Sequence, residues 1–450
     1  MSDRQALVMT PQELAAMMSR IDAAMPELNR YEKLPGVRYD DPDALQRYRD
    51  AAEGLPLAGN TEKCEKEVGF SGLEALFEGA HSAVAKAAVL NLYKKARAAV
   101  QSEWQDQAAR EALWQTLERI KEKRRASFGE AHDVAGCCED ANRWIYAYAD
   151  GPMVREAHIR SHKQGLKPLE IVQFTDAHFN YCNQKDLEEA NPALMSTLEH
   201  RLWHANGDSV HAVERAFAYA EMSDQTVVTG DIMDYLSWGA LEMTEERLFW
   251  RDTNLLAAIG GHEVTREMQG EVADPSSLES RLSILRRFWC NDISYASGVL
   301  GDRVILSVMD NGSTGTYSER QYRLLQSDID RAREQNLILL IFQHEPICTC
   351  NPAETNAEFV RANDAGGSRN FYRDFVGGYW TREVLRDEWT IRTHRLIRES
   401  ADVIRGVFCG HQHSDFYTEI LGTDGRVIPQ YVLTATVYDN LGHVTKITVD

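Results

Sequence analysis

The sequence predicts an α/β (α+β) chain: a mainly helical region over residues 1–165, then a domain of alternating strands and helices over 166–450. Two observations carry the prediction. Six short apolar runs follow Gly165-Leu166-Lys167-Pro168, with amphipathic segments between them, which is the pattern of a sandwiched sheet. Five of these runs lead directly into a cluster of Asp, His and Gly residues.

The elements follow in order. Thr10 before Pro11 reads as an N-cap with proline at the first helical position, and PQELAAMMSRIDAAM continues at helical spacing. Residues 71–125 are rich in Ala, Leu, Glu, Lys and Gln without proline, which predicts one long helix or two broken by a tight turn. Cys137-Cys138 opens a further helical candidate through Trp144 and Tyr148. The six apolar runs are LEIVQF (169–174), TVV (226–228), LLAAI (255–259), RVILSVM (303–309), LILLIF (337–342) and IRGVF (404–408). VHAVERAFAYAEM (210–222) and SERQYRLLQSDIDRARE (318–334) are amphipathic helices between them. RVIPQYVLTATV and HVTKITVD close the chain as antiparallel strands.

Composition narrows the function. With 49 Lys+Arg against 69 Asp+Glu, the 450-residue chain carries a formal charge of −20, which disfavours long nucleic acids and anionic membranes. No apolar stretch reaches the roughly 18–20 residues of a membrane span. The opening residues lack a signal peptide's apolar segment. Eight scattered cysteines do not form a secreted disulfide framework, so a cytoplasmic protein is expected. Cys137-Cys138 and Cys348-x-Cys350 lack Cys-x-x-Cys spacing and are read as incidental thiols.

The chemistry concentrates in the five polar clusters. They are Thr175-Asp176-Ala177-His178, Thr229-Gly230-Asp231 with Asp234 beyond it, Gly260-Gly261-His262-Glu263, Gln343-His344-Glu345-Pro346, and Gly410-His411-Gln412-His413. Ligands bind beyond the carboxyl ends of strands in α/β sheets, so these loops can converge. Carboxylates mixed with imidazoles form a donor set suited to Zn, Mn, Fe or Co. Five of the 14 histidines lie in these motifs; the other nine are expected to be structural.

This ordered series resembles the calcineurin-like metallophosphoesterase superfamily, whose motifs run Asp-x-His, Gly-Asp, Gly-Asn-His-Glu/Asp, an isolated His and Gly-His-x-His. The resemblance covers roughly residues 168–450. It implies a four-layer αββα sandwich with a two-metal site holding two divalent transition metal ions. Asp176, His178 and His413 would hold the first metal, His344 and His411 the second, and Asp231 would bridge them. His262 matches the histidine that donates a proton to the leaving group. The implied reaction is hydrolysis of a phosphate mono- or diester by a metal-bound hydroxide. The chain departs from the pattern at Gly261, where the family has asparagine. The second metal is therefore expected to bind weakly, take a water instead or borrow a ligand, with Asp234 and Glu263 the candidates by proximity in sequence; Asp234 has the alternatives of orienting a metal-ligating histidine or being a plain loop carboxylate, and Glu263 that of hydrogen-bonding its own loop.

Two inserts, 264–300 and 347–380, are expected to face substrate. Arg369 and Arg373 in the second are candidate substrate-binding residues for a phosphate group. A rival reading makes the chain a catalytically weakened scaffold that binds a protein partner through the helices of 1–165.

Overall fold

The computed structural model describes residues 10–30, 70–101, 106–126, 152–163, 165–189, 209–264, 275–347, 387–413, 415–437 and 441–450. Arg369, Arg373, Cys348, Cys350 and the 137–148 segment lie outside these residues.

Helix α1 (Pro11–Leu28) starts where expected: the Thr10 side chain accepts from Glu13 N–H and the Glu13 carboxylate from Thr10 N–H, a reciprocal capping box. The 71–125 stretch forms three helices, α2 (Gly72–Gly79), α3 (Ala83–Gln101) and α4 (Gln107–Ala126), not one or two. Polar side chains make the breaks. Asn29 donates to the Gly79 carbonyl and accepts from His81 N–H, while Ser82 and Asp106 cap Ala85 and Ala109.

The eleven strands are β1 (Met153–Ile159), β2 (Leu169–Phe174), β3 (Gln225–Thr229), β4 (Leu256–Ala258), β5 (Tyr295–Leu300), β6 (Val304–Met309), β7 (Ile338–Gln343), β8 (Ile404–Cys409), β9 (Phe416–Leu421), β10 (Val427–Val432) and β11 (His443–Val449). They form a five-stranded sheet, β1-β11-β2-β3-β4, and a six-stranded sheet, β5-β6-β7-β8-β10-β9. All six apolar runs are strands. β2, β3 and β4 are mutually parallel, as are β6, β7 and β8.

Period-2 alternation explains the layering. On β2, Leu169 and Ile171 face the core between the sheets, while Val172 and Phe174 face the core under the helices. On β7, Ile338, Leu340 and Phe342 point inward, and Leu339 and Ile341 pack beneath α10 (Glu319–Gln335) and α11 (Glu388–Glu399). Sheets buried on both faces need apolar residues at every position, which is why these runs are continuous. The result is a four-layer αββα sandwich.

The helical region belongs to the same body. Leu73, Val89, Tyr93 and Leu117 share one hydrophobic core with Val172, Phe174 and Phe217 of the sandwich. Arg97 of α3, fully buried, bonds through Nη2 to Asp224 Oδ2 (3.1 Å), and Lys94 pairs with buried Asp252.

Three strands escape the sequence reading. β1 lies before residue 165 in a stretch read as helical, yet pairs in parallel with β11 over seven residues. β11 is antiparallel only to β2. β5 and a helix, α9 (Pro275–Phe288), occupy much of the 264–300 insert expected to face substrate; Leu285 and Phe288 are core residues. β9 is an edge strand. Among the described residues, no helix is long and apolar enough to cross a membrane.

Candidate metal centre

All five motif loops leave the carboxyl ends of parallel strands: β2 delivers Asp176 and His178, β3 Asp231, β4 His262, β7 His344, and β8 His411 and His413. The sheets place these ends side by side. Gln173 on β2 ties them together, its side-chain N–H reaching the Thr229 hydroxyl (2.8 Å) and the Cys409 carbonyl of the second sheet (3.0 Å).

The architecture is a two-sheet α/β sandwich. Among the described residues three groups of three donors form at these strand ends; one, His178, Asp234 and His262, shares His178 with another, and the remaining two are those the sequence motifs pair. In the first of these two, His413 Nε2 stands 3.1 Å from Asp176 Oδ1 and 3.0 Å from His178 Nε2. In the second, His344 Nε2 stands 3.0 Å from Asp231 Oδ2 and 3.2 Å from His411 Nδ1. Metal–ligand bonds of about 2.0–2.2 Å imply donor–donor edges of roughly 3.0–3.5 Å, so both groups have the span of half a coordination shell.

Each carboxylate is held by one oxygen and offers the other. Asp176 Oδ2 accepts from the Thr175 hydroxyl (2.7 Å) and His411 N–H (2.9 Å), leaving buried Oδ1 with no hydrogen-bond donor. Asp231 Oδ1 accepts from His262 N–H (2.9 Å), which leaves Oδ2 to face His344. The second ring nitrogens are also spent. His344 Nδ1 donates to the Thr229 carbonyl (2.8 Å), and His178 Nδ1 lies 3.2 Å from Asp234 Oδ1. Such outer contacts fix the tautomer that turns a lone pair toward a cation.

Two imidazole nitrogens about 3 Å apart repel unless a proton or a cation lies between them. Protonation states follow this rule. Burial alone would lower His178 and His344, yet Asp176, Asp234 and Asp231 raise His178 to about 10 and hold His344 well above the usual range. Burial would raise Asp176, but the neighbouring His178 and His413 imidazoles hold it well below the carboxylate range. Burial and neighbouring His344 push His411 down to about 4. Cations binding here would replace these protons.

The backbone is unusual at the same residues. Among the described non-glycine residues seven have positive φ, and five of them are Asp176, His178, Asp231, His411 and His413. Left-handed residues cost energy and mark constrained functional positions. The constraint comes from the β2 and β3 loops, which stay hydrogen-bonded past their strands: His178 N to Asp231 O (2.9 Å), Phe179 N to Ile232 O (2.7 Å) and Asp234 N to Phe179 O (3.1 Å).

Neither sequence-neighbour of Gly261 is free to replace the missing asparagine. Glu263 is buried, and its carboxylate accepts from Asp231 N–H (3.0 Å), Met233 N–H (2.9 Å) and Gly260 N–H, so it is the clamp of its own loop. Asp234 serves His178 and His262: its carbonyl oxygen lies 2.6 Å from His262 Nδ1 and its Oδ1 3.4 Å away. His262 Nε2 then points toward Asp231 Oδ2, at 4.0 Å. Sequence reasoning missed Asn311 and Asn180 and assigned no role to Thr229. Asn311 holds the loop behind His344 through both Glu345 main-chain groups (2.8 and 3.0 Å); an amide just past a strand was its only signal.

No family model matches the sequence, and no curated protein matches it. Among solved structures, the chain is similar to purple acid phosphatase PPD1 from yellow lupin (Lupinus luteus) seeds, with 12% identity and a TM-score of 0.38 over 63% of this chain and 54% of that one. It is similar to a dimetal phosphatase from Danio rerio, with 12% identity and a TM-score of 0.33 over 60% and 88%. For the structure of PhoD the values are 10%, 0.37, 61% and 58%. The chain thus spans little more than half the length of the lupin and PhoD structures. Likeness this distant says nothing of activity; the architecture rests on the sheets and on the motifs at their ends.

Proposed function

We propose that the chain is a metal-dependent hydrolase of phosphate mono- or diesters. The observation that carries the reading is the pair of three-donor groups at convergent strand ends, with His262 beside them. Asp176, His178 and His413 would hold one divalent transition metal ion, His344 and His411 the other, with Asp231 between. Mn, Zn, Fe or Co bound there would polarise phosphoryl oxygens and acidify a water.

The remaining chemistry falls to the chain. His262 is fixed at Nδ1 by Asp234, so Nε2 is the nitrogen turned to the reaction space. Burial would lower its pKa, but Asp231 and Asp234 raise it above the ordinary histidine value, and the protonated ring is an imidazolium. In that state Nε2–H donates its proton to the leaving-group oxygen as the P–O bond breaks. Asp231, held by His262 N–H and Glu263, keeps its free oxygen on the side where the phosphoryl group enters. Arg369 and Arg373 are candidates for holding that group.

The scaffold reading is weaker. Helices α3 and α4 spend their apolar faces and buried charges inside the chain, leaving them poorly suited as a separate docking module. The deciding experiment uses metal-stripped protein with Mn, Zn, Co, Fe or Mg added back, and aryl phosphate mono- and diesters as substrates. Turnover that needs a transition metal and disappears in Asp231→Asn and His411→Asn is expected. Folded wild-type protein inactive with every metal would leave the scaffold.

A further inference from the structure

The Asp234 carboxylate supports His178 and approaches His262, whose Nδ1 lies nearer the Asp234 main-chain carbonyl (2.6 Å against 3.4 Å), and two residues outside every motif hold that carboxylate in turn. Asn180 Nδ2 donates to Asp234 Oδ2 (3.1 Å), and Asn180 Oδ1 accepts from the Tyr235 hydroxyl (2.6 Å). Tyr235 is 1% exposed and Asp234 2%. Asp234 Oδ1 is thereby left to the two imidazoles, 3.2 Å from His178 Nδ1 and 3.4 Å from His262 Nδ1. The frame is rigid: Phe179 and Met233 form a β-bridge, and Asp234 N–H donates to the Phe179 carbonyl.

We propose that Asn180 and Tyr235 are positioning residues that orient His178, and secondarily His262, through the Asp234 carboxylate. The physical reason is the softness of terminal amide and carboxylate torsions, which are broad and roughly two-fold. Unheld, the Asp234 carboxylate could turn away from either imidazole. An amide donor on Oδ2 pins it. The amide itself could flip, but the Tyr235 O–H donor selects Oδ1, because the reversed amide would set N–H against O–H and a carbonyl oxygen against a carboxylate. Burial keeps the phenol protonated, so it remains a donor. One hydroxyl thus fixes one amide, which fixes one carboxylate, which keeps His178 Nδ1 as a donor and gives His262 Nδ1 a second acceptor beside the main-chain carbonyl. The link to catalysis rests on the phosphoesterase reading; the link to imidazole orientation does not.

The test uses the full chain, wild type, Tyr235→Phe and Asn180→Ala. Tyr235→Phe keeps the buried ring and removes only the hydroxyl; urea midpoints check that each variant is folded. In metal-free protein, imidazole Nδ1–H protons engaged with a carboxylate resonate far downfield and exchange slowly, and His178→Asn and His262→Asn assign them. The His178 signal is expected to move upfield and exchange at least about tenfold faster in Tyr235→Phe, and the His262 signal, which keeps its main-chain carbonyl, to change less. With Co(II) as probe, its affinity and absorption spectrum are expected to change as well, with a loss of about 10–100-fold in affinity, the usual worth of an outer-shell partner. Unchanged imidazole signals in folded Tyr235→Phe would overturn the proposal whatever the activity. Altered signals in a protein whose wild type neither binds Co(II) nor hydrolyses an ester would sustain it and sink the phosphoesterase reading instead.

Discussion

Gly260 and Gly261 are adjacent and chemically identical, yet replacing them should have opposite results. A Cβ on Gly260 would meet Asp231 Oδ1 and stand 2.6 Å from the Asp231 backbone nitrogen. The Asp231 loop must then move, which strains His262 N–H to Asp231 Oδ1 and the two N–H bonds accepted by Glu263 Oε2. Overpacking costs about 1–3 kcal/mol, and each buried polar group left unmatched about 1–3 kcal/mol more. With one such group lost, Gly260→Ala should therefore lose about 2–6 kcal/mol. A Cβ on Gly261 meets only the Gly312 carbonyl oxygen, at an ordinary 3.6 Å. Gly261→Asn should fold within about 1 kcal/mol of wild type and add an amide oxygen beside the second donor group. That donor should tighten the weaker cation about tenfold, roughly 1.4 kcal/mol. Urea unfolding reads the stabilities, and calorimetric titration with Mn or Co reads the affinities. A Gly260→Ala protein as stable as wild type would refute the packing argument. A Gly261→Asn protein with unaltered cation binding would show that position 261 does not face the second group.

Other outcomes follow from the same structure. Arg97→Met should cost about 3–5 kcal/mol in urea unfolding near neutral pH, because it strands Asp224 as a buried unpaired charge. Burial opposes Asp224 ionisation, but Arg97 outweighs it and holds the folded pKa below the ordinary value. The stability this contributes is present above about pH 4 and lost as pH falls through the folded value. Glu245 has the opposite sign: burial, then Glu242 and Glu246, raise it to about 8. The folded state thus holds its proton longer than the unfolded chain, and stability falls as pH rises from about 4.5 to about 8. Glu245→Gln should remove that fall and be the more stable protein at pH 9, by on the order of a few kcal/mol. Saturating cation should raise wild-type stability by about 2.7 kcal/mol at a hundred times Kd, read as a melting shift that Asp176→Asn abolishes.

The sandwich and the site loops were legible because both leave local marks. Strands buried on two faces must be apolar throughout, so LEIVQF and LILLIF could be little else, and donors placed just beyond them have one place to meet. β1, MVREAHI, left no such mark: only Ala157 and Ile159 reach the inner core, and its charged residues read as part of the helical stretch before it. Charge on an edge strand is a common guard against aggregation, so sequence alone could not separate it from a helix end. The outer contacts were hidden for another reason. Asn180 and Tyr235 act at a distance set by the register of two loops, 55 residues apart in the chain, and nothing in either residue's neighbourhood announces that pairing. Glu263 was readable as either ligand or loop clamp, and only the three N–H groups around its carboxylate decide for the clamp.

The left-handed backbone at Asp176, His178, Asp231, His411 and His413 restricts the amino-acid alphabet there before any chemistry is considered. Of the non-glycine residues, Asn, Asp and His enter that conformation most readily, and β-branched residues hardly at all. Two of these three, Asp and His, are also strong metal donors. Drift at these sites would therefore tend to exchange one donor or near-donor for another rather than for Val, Ile or Thr. An alanine replacement removes a donor and adds strain together, whereas Asn keeps the turn and Gly relaxes it. Comparing the three at one position would separate what the loop requires from what the metal requires.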